Sequence, residues 1–276
     1  MSDFIQDAQT IDFKTYDDGG AGDGLTRIQW RNGVPREKTG GYFFVIGERL
    51  GDFTPSAPWS AFTDTFDNGS TADGYKADSL RLAIIAVRQQ PFVGVQQGEF
   101  KTKIWREKYA KNEPGASIQV DVLCAAEGLE ELGMIVWSSA TVKTGFAIVG
   151  KPDGIVHMID SAILKPASAL AKKTMRPWCF WATISTERDA QGKVVYTPTK
   201  GKTVTKPALI LPKEVTKAWL VAAYTGSEML RYGEEQRAAY DDWVRERRTN
   251  DAPATPAQPV GGRNVPQPID DENLPF

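Results

Sequence analysis

The chain has 276 residues, 41% of them hydrophobic and 10% aromatic, with 33 Lys and Arg against 35 Asp and Glu. That length and apolar content are enough to bury a sizeable core, and they exclude a chain disordered throughout. No run approaches the roughly 18 apolar residues of a membrane-spanning helix, and the acidic opening MSDFIQDAQT has neither the basic nor the apolar region of a secretory signal, so a cytoplasmic protein with no membrane partner is expected.

The near-zero net charge conceals an uneven distribution. Residues 1–24 hold six acids and one lysine, and this Asp- and Gly-rich stretch predicts a flexible acidic arm. Residues 76–111 carry eight Lys and Arg against three acids, and residues 165–206 carry nine against two. Screening confines charge effects to roughly 8–10 Å, so a local basic surface matters more than the sum, and a polyanionic ligand stays open.

From residue 25 to about 212 the chain reads mostly as strands. TRIQWRNG alternates Arg27, Gln29 and Arg31 with Ile28 and Trp30, the period of two of a half-buried strand. GGYFFVIG is a Gly-bounded aromatic strand with Tyr42 and Phe44 on a shared face, and SLRLAIIAVRQQ, apolar on both faces, predicts a central strand. In EFKTKIWREK residues two apart share a face, which sets Lys101, Lys103 and Trp105 together against Phe100, Thr102 and Ile104. SIQVDVLCAA and GMIVWSS continue the pattern, and residues 153–173 predict a short helix broken at Pro166. MRPWCFWATIST reads as a strand with Arg176, Trp178 and Phe180 on one face and Cys179 and Trp181 on the other; one face must be core, and the face with the arginine is the expected nucleic-acid platform. KVVYTPT and TVTKPALIL then form a hairpin-like pair with Lys200, Lys202 and Lys206 around a Gly turn. Short strands separated by Gly, Pro and Asn point to a mainly β (α+β) barrel or sandwich.

After Pro212 the period changes. KEVTKAWLVAAYTG stops at a glycine, and GEEQRAAYDDWVRERR opens on acids and closes on arginines, which complements a helix dipole, so helices are expected over 213–249. Residues 250–276 hold six prolines and almost no large apolar residue before the last few positions, which predicts a disordered linker.

Catalytic signals are weak. A single histidine, His157, with Cys124 and Cys179 inside apolar runs supports neither a His-based triad nor a metal cluster, and the cysteines read as buried reduced thiols. GFAIVGKP imitates a phosphate loop but carries Pro152 where a magnesium-binding hydroxyl is needed. Adjacent acids such as Glu130–Glu131 and Asp241–Asp242 read as solvated surface. No enzyme activity, cofactor or metal is expected. Lysines beside an outward tryptophan suit unpaired nucleic acid instead: ammonium groups neutralise phosphates and the indole stacks on a base, worth roughly 1–3 kcal/mol.

The last residues, IDDENLPF, after the linker APATPAQPVGGRNVPQP, resemble the acidic tip of bacterial single-stranded DNA-binding proteins. In that family such a tip docks replication, repair and recombination enzymes. The resemblance implies that Phe276 fills an apolar pocket, its carboxylate pairs with a basic residue, and Asp270, Asp271 and Glu272 meet a basic rim, with Leu274 and Pro275 part of the same partner-binding tip. In layout the chain is closer to the bacteriophage members, which join an enlarged OB-type body to an acidic tail; the Cys/His zinc site of some of them is not expected here. The resemblance and the basic aromatic strands together imply sequence-independent single-stranded DNA binding, with partner proteins recruited through the tip. A strand-annealing recombination protein, a replication-associated enzyme and a pure adaptor are the alternatives.

Overall fold

The computed structural model describes residues 25–66, 69–97, 100–109, 112–139, 154–199 and 202–241, without the side chains of 96–97, 100–102, 139, 199 and 202. The expected acidic arm, the GFAIVGKP segment, the arginines that follow Asp242, the linker and the terminal peptide lie outside the described residues.

Twelve strands are described: β1 (Thr26–Arg31), β2 (Tyr42–Ile46), β3 (Ser60–Thr65), β4 (Thr71–Ala77), β5 (Ser79–Gln97), β6 (Phe100–Trp105), β7 (Ala116–Ala126), β8 (Ile135–Ser139), β9 (Ala182–Thr186), β10 (Tyr196–Thr199), β11 (Lys202–Thr205) and β12 (Pro207–Leu209). Ten of them form one sheet in the order β12-β9-β5-β7-β8-β1-β2-β4-β3, with β6 also on β5, while β10 and β11 make a separate hairpin. The protein is mainly β, and its large sheet curls into a half-barrel. Pairing is antiparallel except between β1 and β8 among the described strands.

β5 is the spine. Ser79–Leu82 pair with β9, Leu82–Val93 with β7, and Phe92–Gln97 with β6. A register shift between Ile84 and Ala86 marks a bulge. Before it Leu82 and Ile84 oppose Ala126 and Cys124; after it Val87 opposes Val122, so the extra residue restores the same face to the core. That bulge explains why the segment reads as apolar on both faces. Pro91 is tolerated in the strand because its carbonyl, which accepts from Arg106 N–H at 2.9 Å, points toward β6. Its absent N–H points the same way and costs β7 no ladder bond.

The core packs Trp137 and Phe43 against Ile28. Phe43 and Trp137 meet edge-to-face with centroids 4.9 Å apart, and Trp30 meets Phe43 edge-to-face at 5.2 Å. The curl is laced by side chains where the β1–β2 loop meets β9 and the hairpin. Trp30 Nε1 donates to the Thr205 carbonyl at 3.0 Å, Thr205 N–H donates to Asn32 Oδ1 at 3.0 Å, and Thr186 Oγ1 donates to the Gly41 carbonyl at 2.9 Å. Gly41 has no alternative here: a Cβ would lie 2.5 Å from both Thr205 Oγ1 and Trp30 Cζ2.

Three local expectations are corrected. Pro166 does not break the 153–173 helix: α1 (Ile155–Ile159), a π-turn (Asp160–Leu164) and α2 (Lys165–Ala171) follow one another, and Pro166 sits in the first turn of α2. The widened turn before it gives the ring and the missing N–H room. RPWCFWATIST is a strand only from Ala182, because Pro177–Cys179 turn as a short 3-10 helix. α3 (Lys217–Ala223) starts at a Thr216 cap, whose Oγ1 accepts from Trp219 N–H at 3.2 Å. α4 (Ser227–Ala239) begins six residues before the expected Gly233, since that glycine is the docking point of the helix and not its start. Trp178 lies against it and donates its indole N–H to the Leu230 carbonyl at 3.2 Å.

A Cβ at Gly233 would stand 2.1 Å from Trp178 Cδ1, whereas one at Gly94 would approach nothing nearer than 3.9 Å. Gly233→Ala is therefore expected to lower stability by about 1–3 kcal/mol in urea denaturation, with Gly94→Ala close to neutral. An unshifted midpoint for Gly233→Ala would contradict the packing described.

Candidate nucleic-acid interface

Residues directly opposite across a ladder share a face of the sheet. The face opposite the Phe43–Trp137 core can be followed strand by strand. On β6, Trp105 opposes Phe92 and Lys103 opposes Gly94. Gln90 opposes Gln119, and Arg88 opposes Asp121, which opposes Ser138. Ser138 opposes Gln29, which opposes Phe44, and Arg31 opposes Tyr42. This face therefore carries a charged and amide-rich stripe across β5, β7, β8 and β1, with an aromatic–cation group at each side. Both groups lie toward the same end of the sheet, where β1 and β8 finish and β2 and β7 begin.

At the β6 side Trp105 meets Phe92 edge-to-face at 5.7 Å, and Lys103 Nζ stands 5.5 Å over the Phe92 ring. Trp105 and Lys103 are half-buried and Phe92 is buried beneath them. Lys103 Nζ donates to Gln119 Oε1 at 3.3 Å, and Gln119 Nε2 donates to Asp121 Oδ1 at 2.8 Å. Asp121 is the hub of this network. Its Oδ2 accepts from Arg88 at 2.8 Å and its Oδ1 from Ser138 at 2.9 Å, while Arg27 stands 3.8 Å away and donates to Ser138 at 3.0 Å. A carboxylate held at 2% side-chain exposure between two arginines fixes both, and through Gln119 it fixes the lysine.

At the other side Arg31 pairs with Asp64 at 2.5 Å and stands 4.5 Å over the Phe66 ring. Tyr42 donates its hydroxyl to Asp64 Oδ1 at 2.9 Å. Burial first, and then the Asp64 charge, pushes the Tyr42 phenol well above its ordinary range, so it stays a neutral ring and a donor. Tyr42 and Phe62 meet edge-to-face at 5.5 Å, and Lys76 Nζ lies 4.7 Å over Phe62 and 5.6 Å over Tyr42.

Of the residues the sequence singles out, Lys103, Trp105 and Tyr42 thus occupy one face. Lys101 follows at the next alternate position of β6, opposite Gln96; its side chain and that of Lys202 lie outside the described residues, as do Lys200 and the tip Asp270, Asp271, Glu272, Leu274, Pro275 and Phe276. The platform expected from Arg176, Trp178 and Phe180 is corrected. Trp178 and Phe180 are each 4% exposed, Trp178 pinned under α4, because the turn at Pro177 removes the strand alternation. Arg176 is exposed and pairs with Glu234 at 3.5 Å. Phe44 is fully buried in a small cluster with Ile46, Phe66 and Ala72, so its ring is core. Cys124 and Cys179 are buried free thiols, each pushed up first by burial. Among the described residues no group of His, Cys, Asp or Glu is placed to hold a metal ion. Sequence reasoning missed Phe62, Lys76, Phe92 and Gln119. The signal for Phe62 and Lys76 was present as alternation in SAFTDT and TADGYKA, but which strands neighbour one another cannot be read from a single strand.

Asp121→Ala removes the shared acceptor of a buried network and is expected to cost about 3–5 kcal/mol in denaturant titration. Glu127→Gln, which breaks a pair with Arg81 at 46% side-chain exposure, is expected to cost less than about 1 kcal/mol. Equal losses would contradict the assignment of Asp121 as the hub.

A comparison of the chain with family models, with curated proteins and with solved structures finds no match in any of the three.

Proposed function

We propose that the protein binds single-stranded DNA without sequence preference, protecting it during replication, recombination or repair, and recruits partner proteins through its acidic terminal peptide. We read the curled sheet as an OB-type body, which its mainly β composition and curl support. The observation that carries the proposal is the pairing of Lys103 with Trp105 on one face of β6, above Phe92. A cation beside a half-exposed indole offers one contact for a phosphate and one for a base. The Tyr42–Phe62–Lys76 group repeats the same chemistry on the same face. From β6 to β2 is five strand intervals, about 24 Å of arc at about 4.8 Å each, room for a few extended nucleotides. The Asp121 network beneath holds Lys103 in place, so binding would order few side chains. The chemistry is non-enzymatic on this reading: ligand contact needs rings and cations, not a nucleophile or an acid–base pair.

Fluorescence anisotropy of a labelled thymidine oligomer against the full chain tests this. Trp105→Ala is expected to weaken binding by about 1–3 kcal/mol with little change in salt dependence. Lys103→Gln is expected to lower the slope of log K against log salt by about 0.7. A matched duplex should bind more weakly than the single strand. No binding to either nucleic acid, or equal affinity of the Trp105→Ala protein, would overturn the proposal.

A further inference from the structure

The β1–β2 loop leaves the sheet between Arg31 and Tyr42, at the end where the two aromatic–cation groups lie, and it is not a free loop. Tyr196 of β10 donates its hydroxyl to the Thr39 carbonyl at 2.8 Å. Val195 N–H donates to the Glu187 carbonyl at 3.0 Å, and Glu187 N–H to the Lys206 carbonyl at 2.8 Å. Gly33 N–H donates to Thr205 Oγ1 at 3.1 Å. Three segments, 32–41, 187–196 and 203–206, are thereby tied into one rim.

That rim is basic. Arg36, Lys38, Arg188 and Lys193 are exposed and Lys206 is half-exposed, five cations against Glu37, Glu187 and Asp189. Asp189 is engaged locally, its Oδ1 accepting from the N–H groups of Gln191 and Lys193, both at 2.9 Å. Among the described residues none of Arg36, Lys38, Lys193 and Lys206 pairs with an acid. Lys38 is held in the left-handed region at φ 57°, where its N–H closes a turn onto the Pro35 carbonyl. The turn that carries Arg36 and Lys38 is thus built, not frayed. Elsewhere on the surface the exposed Arg81, Arg176 and Arg231 and the half-exposed Arg237 pair with carboxylates.

We infer that this rim is a second, electrostatic contact for the phosphate backbone of the same single strand, extending the footprint beyond the aromatic face by way of the Tyr42 end. The inference rests on the proposed function. It assigns Arg36, Lys38, Lys193 and Lys206 a role in binding, with the sugar–phosphate chain as their ligand; having no aromatic platform between them, they add affinity that is insensitive to base.

The test uses the full chain carrying Arg36→Gln, Lys38→Gln, Lys193→Gln and Lys206→Gln together. Anisotropy is measured with thymidine oligomers of about 8 and about 24 nucleotides at several salt concentrations, with thermal unfolding as a folding control. The expected result is an unfolding midpoint like that of the parent, a long-oligomer salt slope smaller by about 2–3, and nearly unchanged binding of the short oligomer. Unchanged slopes for both lengths would overturn the inference while leaving the aromatic face as the binding site, as would equal loss for both lengths, since the rim would then not extend the footprint. If folding of the fourfold variant fails, the Lys38→Gln and Lys193→Gln single variants carry the same test, each expected to lower only the long-oligomer slope, by about 0.7. Absence of binding by the parent chain at either length would overturn the proposed function and this inference with it.

Discussion

The structure depends on β5, a strand long enough to hold β9, β7 and β6. Leu82–Ala86 are buried on both faces and the second half is divided between core and polar face, and the bulge between Ile84 and Ala86 lies where the two regimes meet. Without that extra residue Val87 would turn to the polar face and Arg88 into the core, since a one-residue slip exchanges faces. The position of Arg88 against Asp121, and with it the network that reaches Lys103, is therefore a consequence of backbone register. The buried ion pairs are best seen as devices of arrangement more than of net stability, because their desolvation offsets much of the Coulomb gain.

Strand existence was largely legible in the sequence, and for a plain reason. TRIQWR, YFFVI, FKTKIW and IVWSS alternate or are bounded by glycine, and each is a strand in the structure. What was not legible came from tertiary context. Trp178 and Phe180 were expected on an outward face, but Pro177 begins a turn and α4 covers Trp178. Gly233 looks like a helix boundary in sequence and is a helix interior in space, where only the absence of a Cβ lets the indole approach. Phe44 alternates with Phe43 as a surface residue would, yet Phe62 and Phe66 cover the second face of that strand.

The candidate site shows the same division. Lys103 and Trp105 could be found from one strand, because residues two apart share a face. Their neighbours Phe92 and Gln119, and the second group of Tyr42, Phe62 and Lys76, required the order β6-β5-β7-β8-β1-β2-β4-β3, which no local pattern encodes. Charge behaves likewise. The basic surplus of 165–206 is visible in the sequence, but only the seam that ties Tyr196 to Thr39 brings it beside Arg36 and Lys38.

The most direct measurement is photo-cross-linking of a thymidine oligomer to the full chain, with the adducts located by peptide mapping. Adducts are expected on the strands that carry Trp105 and Phe92 and on those that carry Tyr42 and Phe62, lost in excess unlabelled single strand. Adducts confined to α1–α4, or none above those formed with duplex, would contradict binding at the aromatic face.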